Sequence, residues 1–442
     1  MFLNLKIIMR NSLKIIFLLV IVTVCLCHCK SEDETAKYAF VQGKVLEKGT
    51  EQSISGVKIT VFDLKNDAPM SHITTTNENG GYEFSLPAGT YYLKMEKQGY
   101  EVIPDSYSFP NILSLGQKTQ LSVNYELTKT SLTGAGYITG SVKSENAPVA
   151  NVLVVTDNGT EGYSAISDAN GNYTIYNVPA GSYSVNAYKT GNNASAVTTT
   201  VTSNTETKNI NFNFTSAASA TVTGAILFPT GVYKQEVDVR LINYFTQDTV
   251  RGLRTRTMKN NYEIKNVPVG KYIVNATYDN DSLVANPDEV LNSGKPVINV
   301  TSGSGNFVKD INVVKCVSPI APTHSMTNIY QLEIPLKNLT FSWEKFPAAD
   351  SYVVEITNLR GKTLWGGFDT STSPVTPRMN IKATADKTSY SSSFEPKTAL
   401  SPLIIGEMYR WKVYALKNDA AAVNGWRVIS VSEEQRGLIK LK

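Results

Sequence analysis

One pattern occurs three times in this chain at a spacing of about 90 residues, and a period of that length means repeated domains, not one large core. The copies are Tyr82-Glu83-Phe84-Ser85-Leu86-Pro87-Ala88-Gly89-Thr90-Tyr91, Tyr173-Thr174-Ile175-Tyr176-Asn177-Val178-Pro179-Ala180-Gly181-Ser182-Tyr183 and Tyr262-Glu263-Ile264-Lys265-Asn266-Val267-Pro268-Val269-Gly270-Lys271-Tyr272. Tyr173 and Ile175 are two apart, as are Tyr183 and Val185, so each pair shares one strand face. Between the two runs, Pro presets φ and Gly admits a positive φ, which is turn chemistry. The spacing predicts an antiparallel hairpin in each copy. Each copy also opens with a glycine strand, at Gly43-Lys44-Val45, Gly140-Ser141-Val142 and Gly224-Ala225-Ile226. A second strand follows at Val57–Val61, Val152–Val154 and Val237–Val239. No helical period appears. The expectation is an all-β chain of tandem β-sandwich modules, each of about seven short strands, with almost no α-helix.

With these residues in view, all three copies resemble the carboxypeptidase regulatory-like domain, a transthyretin-like β-sandwich grouped with carbohydrate-binding-like folds. The resemblance spans 38–128, 137–215 and a divergent 220–315. The third copy has Lys259-Asn260-Asn261 where the others carry an Asn/Asp-x-x-Gly turn. Beyond it, Pro319 and Pro322 read as a stiff linker. Leu339–Trp343 and Asp350–Ile356 then alternate as strands, and Trp411, Val413 and Ala415 follow at period two. Residues 324–442 resemble a fibronectin type III domain. That likeness implies a core role for Trp343 and a corner role for Tyr409.

The first residues read as an address. Lys6, Arg10 and Lys14 precede an apolar run, Ile15 to Cys27, shorter than the ~20 residues that cross a bilayer but suited to an export signal. Leu26-Cys27-His28-Cys29 resembles a bacterial lipobox, loosely, because His28 stands where a small residue is usual. The resemblance implies a signal over 1–28 and lipidation at Cys29, with Cys25 and Cys27 as alternatives. Lys30-Ser31-Glu32-Asp33-Glu34, within an acidic linker over 29–37, resembles the surface-export tag of some outer-membrane lipoproteins. The expected location is the cell outer membrane, lipid-anchored and surface-exposed. Several acyl chains on one Cys would hold it durably.

Composition limits the chemistry. The 442 residues carry 42 Lys+Arg against 38 Asp+Glu, and loss of the leader's bases brings the balance close to neutral. Nucleic-acid binding wants a basic surface, so no nucleic-acid partner is expected. With the signal removed, His72 and His324 remain in different modules and neither begins His-x-x-Glu. A structural zinc would need four clustered N/S ligands. Neither a metal, a cofactor nor an enzymatic activity is expected, and Cys316 has no intramolecular disulfide partner. Asp168-Ala169-Asn170-Gly171-Asn172 spaces oxygens as calcium loops do, but lacks the later Glu and reads as a turn.

Aromatics carry the only binding signal, because sugar sites use flat aromatic faces beside polar groups. Tyr91, Tyr183 and Tyr272 fall in the inward register. Tyr92 points the other way, Tyr176 and Tyr188 lie near strand ends, and Trp365 and Trp426 lie outside the expected core of the last module. The ligand-binding candidates are Tyr92, Tyr176, Trp365 and Trp426. The leading expectation is a non-enzymatic surface lipoprotein whose modules form an extended rod presenting a glycan- or protein-binding face. The alternative is a structural spacer or assembly subunit with no ligand site of its own.

Overall fold

The computed structural model describes residues 38–442 apart from 64–67, 102–111, 131, 230–235, 279–281, 289–295, 324–331, 359–362 and 433–435. Among the described residues the chain is strand and connection, with one short 3-10 turn at Pro396–Thr398. The all-β, multi-sandwich architecture is as expected.

Each repeat is a pair of facing sheets. In the first, Gly81–Pro87, Tyr38–Glu47 and Gln120–Ser122 share one sheet, and Ala68–Thr75, Lys58–Asp63, Gly89–Glu96 and Ile112–Leu115 form the other. The second repeat pairs Asn172–Val178 with Gly136–Ser144, and Gly181–Tyr188 with Leu153–Asp157. The third pairs Asn261–Val267 with Ala220–Leu227, and Gly270–Tyr278 with Val237–Asn243.

This pairing corrects the expected hairpin. The strands on either side of Pro-x-Gly lie in opposite sheets and do not pair with each other. Tyr82, Phe84 and Leu86 on one strand, and Tyr91, Leu93 and Met95 on the other, enter a single core. Pro and Gly therefore turn the chain across the gap between packed sheets, ~10 Å wide. The tyrosine four residues after the proline braces that corner. Tyr91, Tyr183 and Tyr272 donate to the carbonyls of Pro87, Pro179 and Pro268 at 3.0, 3.0 and 2.9 Å.

The glycine and tyrosine of the motif meet at one carbonyl. Tyr82, Tyr173 and Tyr262 donate to the carbonyl oxygens of Val123, Ile210 and Lys309 at 2.7, 2.5 and 2.6 Å. A Cβ on Gly43, Gly140 or Gly224 would stand 1.7, 1.8 or 1.9 Å from those same oxygens. Each glycine clears a path for a late segment to reach the sandwich, and each phenol fastens it. Burial pushes all three phenols well above their ordinary pKa. The third copy, lacking the Asn/Asp-x-x-Gly turn, keeps an equivalent turn contact: Ile226 N donates to Asn260 O at 2.8 Å, as Val142 N does to Gly171 O at 2.8 Å.

The last sandwich sets Met408–Asn418, Ser351–Asn358, Thr363–Gly366, Leu438–Leu441 and Leu332–Ile334 against Thr340–Glu344, Ser389–Ser393 and Pro319–Ala321. The proline segment is thus not a linker but an edge strand, where a missing N–H is tolerated. Pro319 lies opposite Trp343, and the Pro322 carbonyl accepts the Trp411 indole N–H at 2.8 Å. The Tyr409 hydroxyl accepts the Ile404 amide at 2.8 Å, bracing a corner.

The extended rod is also corrected. Phe62 of the first sandwich and Leu153, Val155 and Tyr188 of the second belong to one apolar cluster with the third core. Lys48 of the first sandwich forms an ion pair with Glu407 of the last. These contacts fold the modules against one another.

Candidate functional site

The sequence candidates do not come together. Cys29 lies outside the described residues. Tyr92 sits on Gly89–Glu96, its backbone paired with Phe62 and Ile112, and its side chain lies outside the description. Tyr176 is half-buried with its ring 6.3 Å from that of Tyr137. Burial raises its pKa, and Glu96 of the neighbouring module adds to the shift, which places Tyr176 at a junction between modules.

Both tryptophans correct the expectation of an open ring face. Trp365 is 0 % exposed. Its ring packs 5.9 Å from Phe341 and 5.5 Å from Phe394, and its indole N–H donates to Thr398 Oγ1 at 3.0 Å. Trp426 is buried and stacked on Phe368 at 5.2 Å. Phe394 packs on Trp365, and Phe368 with Val375 packs around Trp426, and alternation within a strand could not show that covering. Tyr188 is likewise buried, edge-on to Tyr272 at 5.9 Å.

Among the described residues a groove of about 750 Å³ lies on the first sandwich, lined by Gln42, Lys44, Thr75, Asn77, Glu83 and Asn124 among others. Asn77 Oδ1 accepts the amides of Asn79 and Gly81 at 3.0 and 2.9 Å. Asn124 Oδ1 accepts the Lys44 amide at 2.9 Å. The Tyr82 ring is buried and its hydroxyl committed, so it provides no stacking platform.

The groove's polar frame recurs. Ser141 N donates to Asn211 Oδ1 at 2.9 Å and Ala225 N to Asp310 Oδ1 at 2.7 Å, repeating the Lys44–Asn124 bond. Asp168 Oδ1 accepts the amides of Asn170 and Asn172, both at 2.9 Å, repeating the Asn77 turn. The calcium-like spacing is therefore a turn in which Asp168 Oδ1 caps backbone amides. Among the described residues no three His, Cys, Asp or Glu side chains gather as a metal site, and Cys316 is a buried thiol in no disulfide with another described residue.

Once the closure and its polar frame are seen to repeat, the family comparison has a physical basis. Residues 41–124 and 137–215 match the carboxypeptidase regulatory-like domain. The third sandwich lies outside those matched residues but carries the same glycine–tyrosine–carbonyl closure. No curated protein matches the chain. Among solved structures, a streptococcal ancillary pilin is 14 % identical with a TM-score of 0.19, over 40 % of this chain and 63 % of that one. A leucine-rich repeat protein from Bacteroides thetaiotaomicron is 20 % identical with a TM-score of 0.22, over 41 % of this chain and 27 % of that one. The shaft pilin SpaA from Lactobacillus rhamnosus GG is 12 % identical with a TM-score of 0.18, over 40 % of this chain and 98 % of that one. At these scores the likenesses carry no functional argument.

Proposed function

We propose that this chain is a non-enzymatic, exported protein, held on the outer membrane by acyl groups on Cys29, whose sandwiches serve as a scaffold of set geometry at the cell surface. One observation carries the scaffold reading. The strand Leu153–Asp157 is buried along its whole length, with Val154 facing its own core and Leu153 and Val155 joining the third module's cluster. A sandwich built to work alone would turn a polar face to water there. The last module is read as fibronectin type III-like, supported by the buried Trp343 and the Tyr409 corner.

Small-angle scattering on the chain in solution tests the arrangement. A single compact profile is expected, and a profile of independent modules on flexible tethers would refute it. For the anchor, Cys29→Ser is expected to abolish labelled-palmitate incorporation and move the protein from the membrane to the soluble fraction. Unchanged labelling would move the site to Cys25 or Cys27.

A second reading, glycan binding, is supported by the groove on the first sandwich, whose volume falls in the range of ligand sites and whose lining is rich in polar side chains. A glycan array is the check. Binding to one glycan class that is weakened by Glu83→Ala, an exposed groove residue, would favour it, and a blank array from folded protein would leave the scaffold alone.

A further inference from the structure

The two junctions between the repeats are built alike. After Gly89–Glu96 comes Lys97-Gln98-Gly99, and after Gly181–Tyr188 comes Lys189-Thr190-Gly191. Both glycines are left-handed, with φ of 83° and 81°. Each glycine carbonyl accepts an amide from the segment leaving its own module, Thr130 N at 3.0 Å and Ala218 N at 3.0 Å. Each glycine N–H instead points into the next module. Gly99 donates to Asn177 Oδ1 at 2.7 Å, and Gly191 to the Asn266 carbonyl at 2.8 Å.

The receiving residues are also equivalent. Asn177 and Asn266 stand directly before Val-Pro-x-Gly, both left-handed at φ 57° and 58°. Both lie where strand pairing slips, between Ile175 and Val178 and between Ile264 and Val267. A bulge interrupts its own ladder, and the bonds around Asn177 run to the preceding module. Its Nδ2 donates to Tyr100 O at 2.8 Å, and its backbone N donates to Gln98 Oε1 at 2.8 Å. Gln98 Nε2 in turn donates to Ala135 O at 2.6 Å. At the later junction, Val269 N donates to Asn193 Oδ1 at 2.9 Å. The first repeat differs at this position. It reads Phe84-Ser85-Leu86-Pro87, without the extra Asn, and Gly81–Pro87 pairs with Tyr38–Glu47 without a slip.

We propose that the Asn bulge before Val-Pro-x-Gly is a docking socket for the Lys-x-Gly turn of a preceding repeat of the same kind. The socket recognises a left-handed glycine turn through its one free N–H, and it sets the angle between successive sandwiches. This deepens the scaffold reading and rests on it.

Hydrogen exchange with mass spectrometry on the full chain in mild detergent tests the socket. Asn177→Gly keeps a residue at ease with positive φ, so the bulge can persist while the side-chain acceptor is lost. Exchange over 97–101, in the preceding module, is expected to quicken on the order of tenfold, the loss of one hydrogen bond, while 172–176 stays protected. Asn266→Gly keeps the backbone acceptor and is expected to leave Gly191 protected. Unchanged exchange over 97–101 in Asn177→Gly, or equal deprotection of Gly191 in Asn266→Gly, would overturn the socket. If the unsubstituted protein already exchanges freely at both glycines, the scaffold reading falls with it; protection there with no response to Asn177→Gly removes the socket alone.

Discussion

Gly140→Ala is expected to destabilise the second sandwich by at least ~3 kcal/mol, in the range kept for core steric conflict. The new Cβ would lie 1.8 Å from the Ile210 carbonyl oxygen and 2.6 Å from its carbon. Both sides of that contact are backbone, so no side chain can rotate away. Relief requires moving the segment that Tyr173 holds at 2.5 Å and that leads into the Phe212–Val142 pairing. Tyr173→Phe removes the fastener without the clash and leaves a carbonyl short of a partner, an expected loss of ~1–3 kcal/mol. Gly159→Ala is the control. Its φ is 90° and nothing lies within 4 Å of the added Cβ, so it carries only a left-handed strain of ~1–2 kcal/mol. Denaturant unfolding of the three variants should rank them Gly140→Ala first. Equal losses at Gly140 and Gly159 would show that the close approach is not what the repeated glycine serves.

Trp365→Ala is expected to cost the C-terminal sandwich ~3–5 kcal/mol, the range for a fully buried aromatic. The indole is 0 % exposed, lies between Phe341 and Phe394, and has its N–H satisfied by Thr398. Removing it leaves a void. Trp426→Ala should cost less, because that ring stands at the edge of a small cluster with Phe368 and Val428. Thermal unfolding followed by tryptophan fluorescence separates the two. A near-neutral Trp365→Ala would mean the ring is not a core element and would return it to the pool of ligand residues.

Some of this was legible in the residues alone. Alternation with a period of two and the chemistry of Pro and Gly are local, so the number of repeats, their strand content and the near absence of helix among the described residues follow from short stretches of chain. The recurrence of Gly43, Gly140 and Gly224 and of Tyr82, Tyr173 and Tyr262 was equally plain. Their common purpose was not, because the carbonyl they share comes from a segment far along the chain. Pro-x-Gly marks a reversal but does not say whether the next strand stays in the sheet or crosses the core. That choice was made by two apolar strand faces needing the same interior. Pro319–Ala321 looked like a linker until Thr340–Glu344 supplied its partner strand. Trp365 looked available because its own strand does not reveal which loops cover it. Asn177 and Asn266 were visible as letters of the motif, and only the neighbouring module gave them a bond to make. Local periodicity determines what a segment can become, whereas burial and partner choice depend on residues distant in sequence, and those are decided when the sheets and modules close on one another.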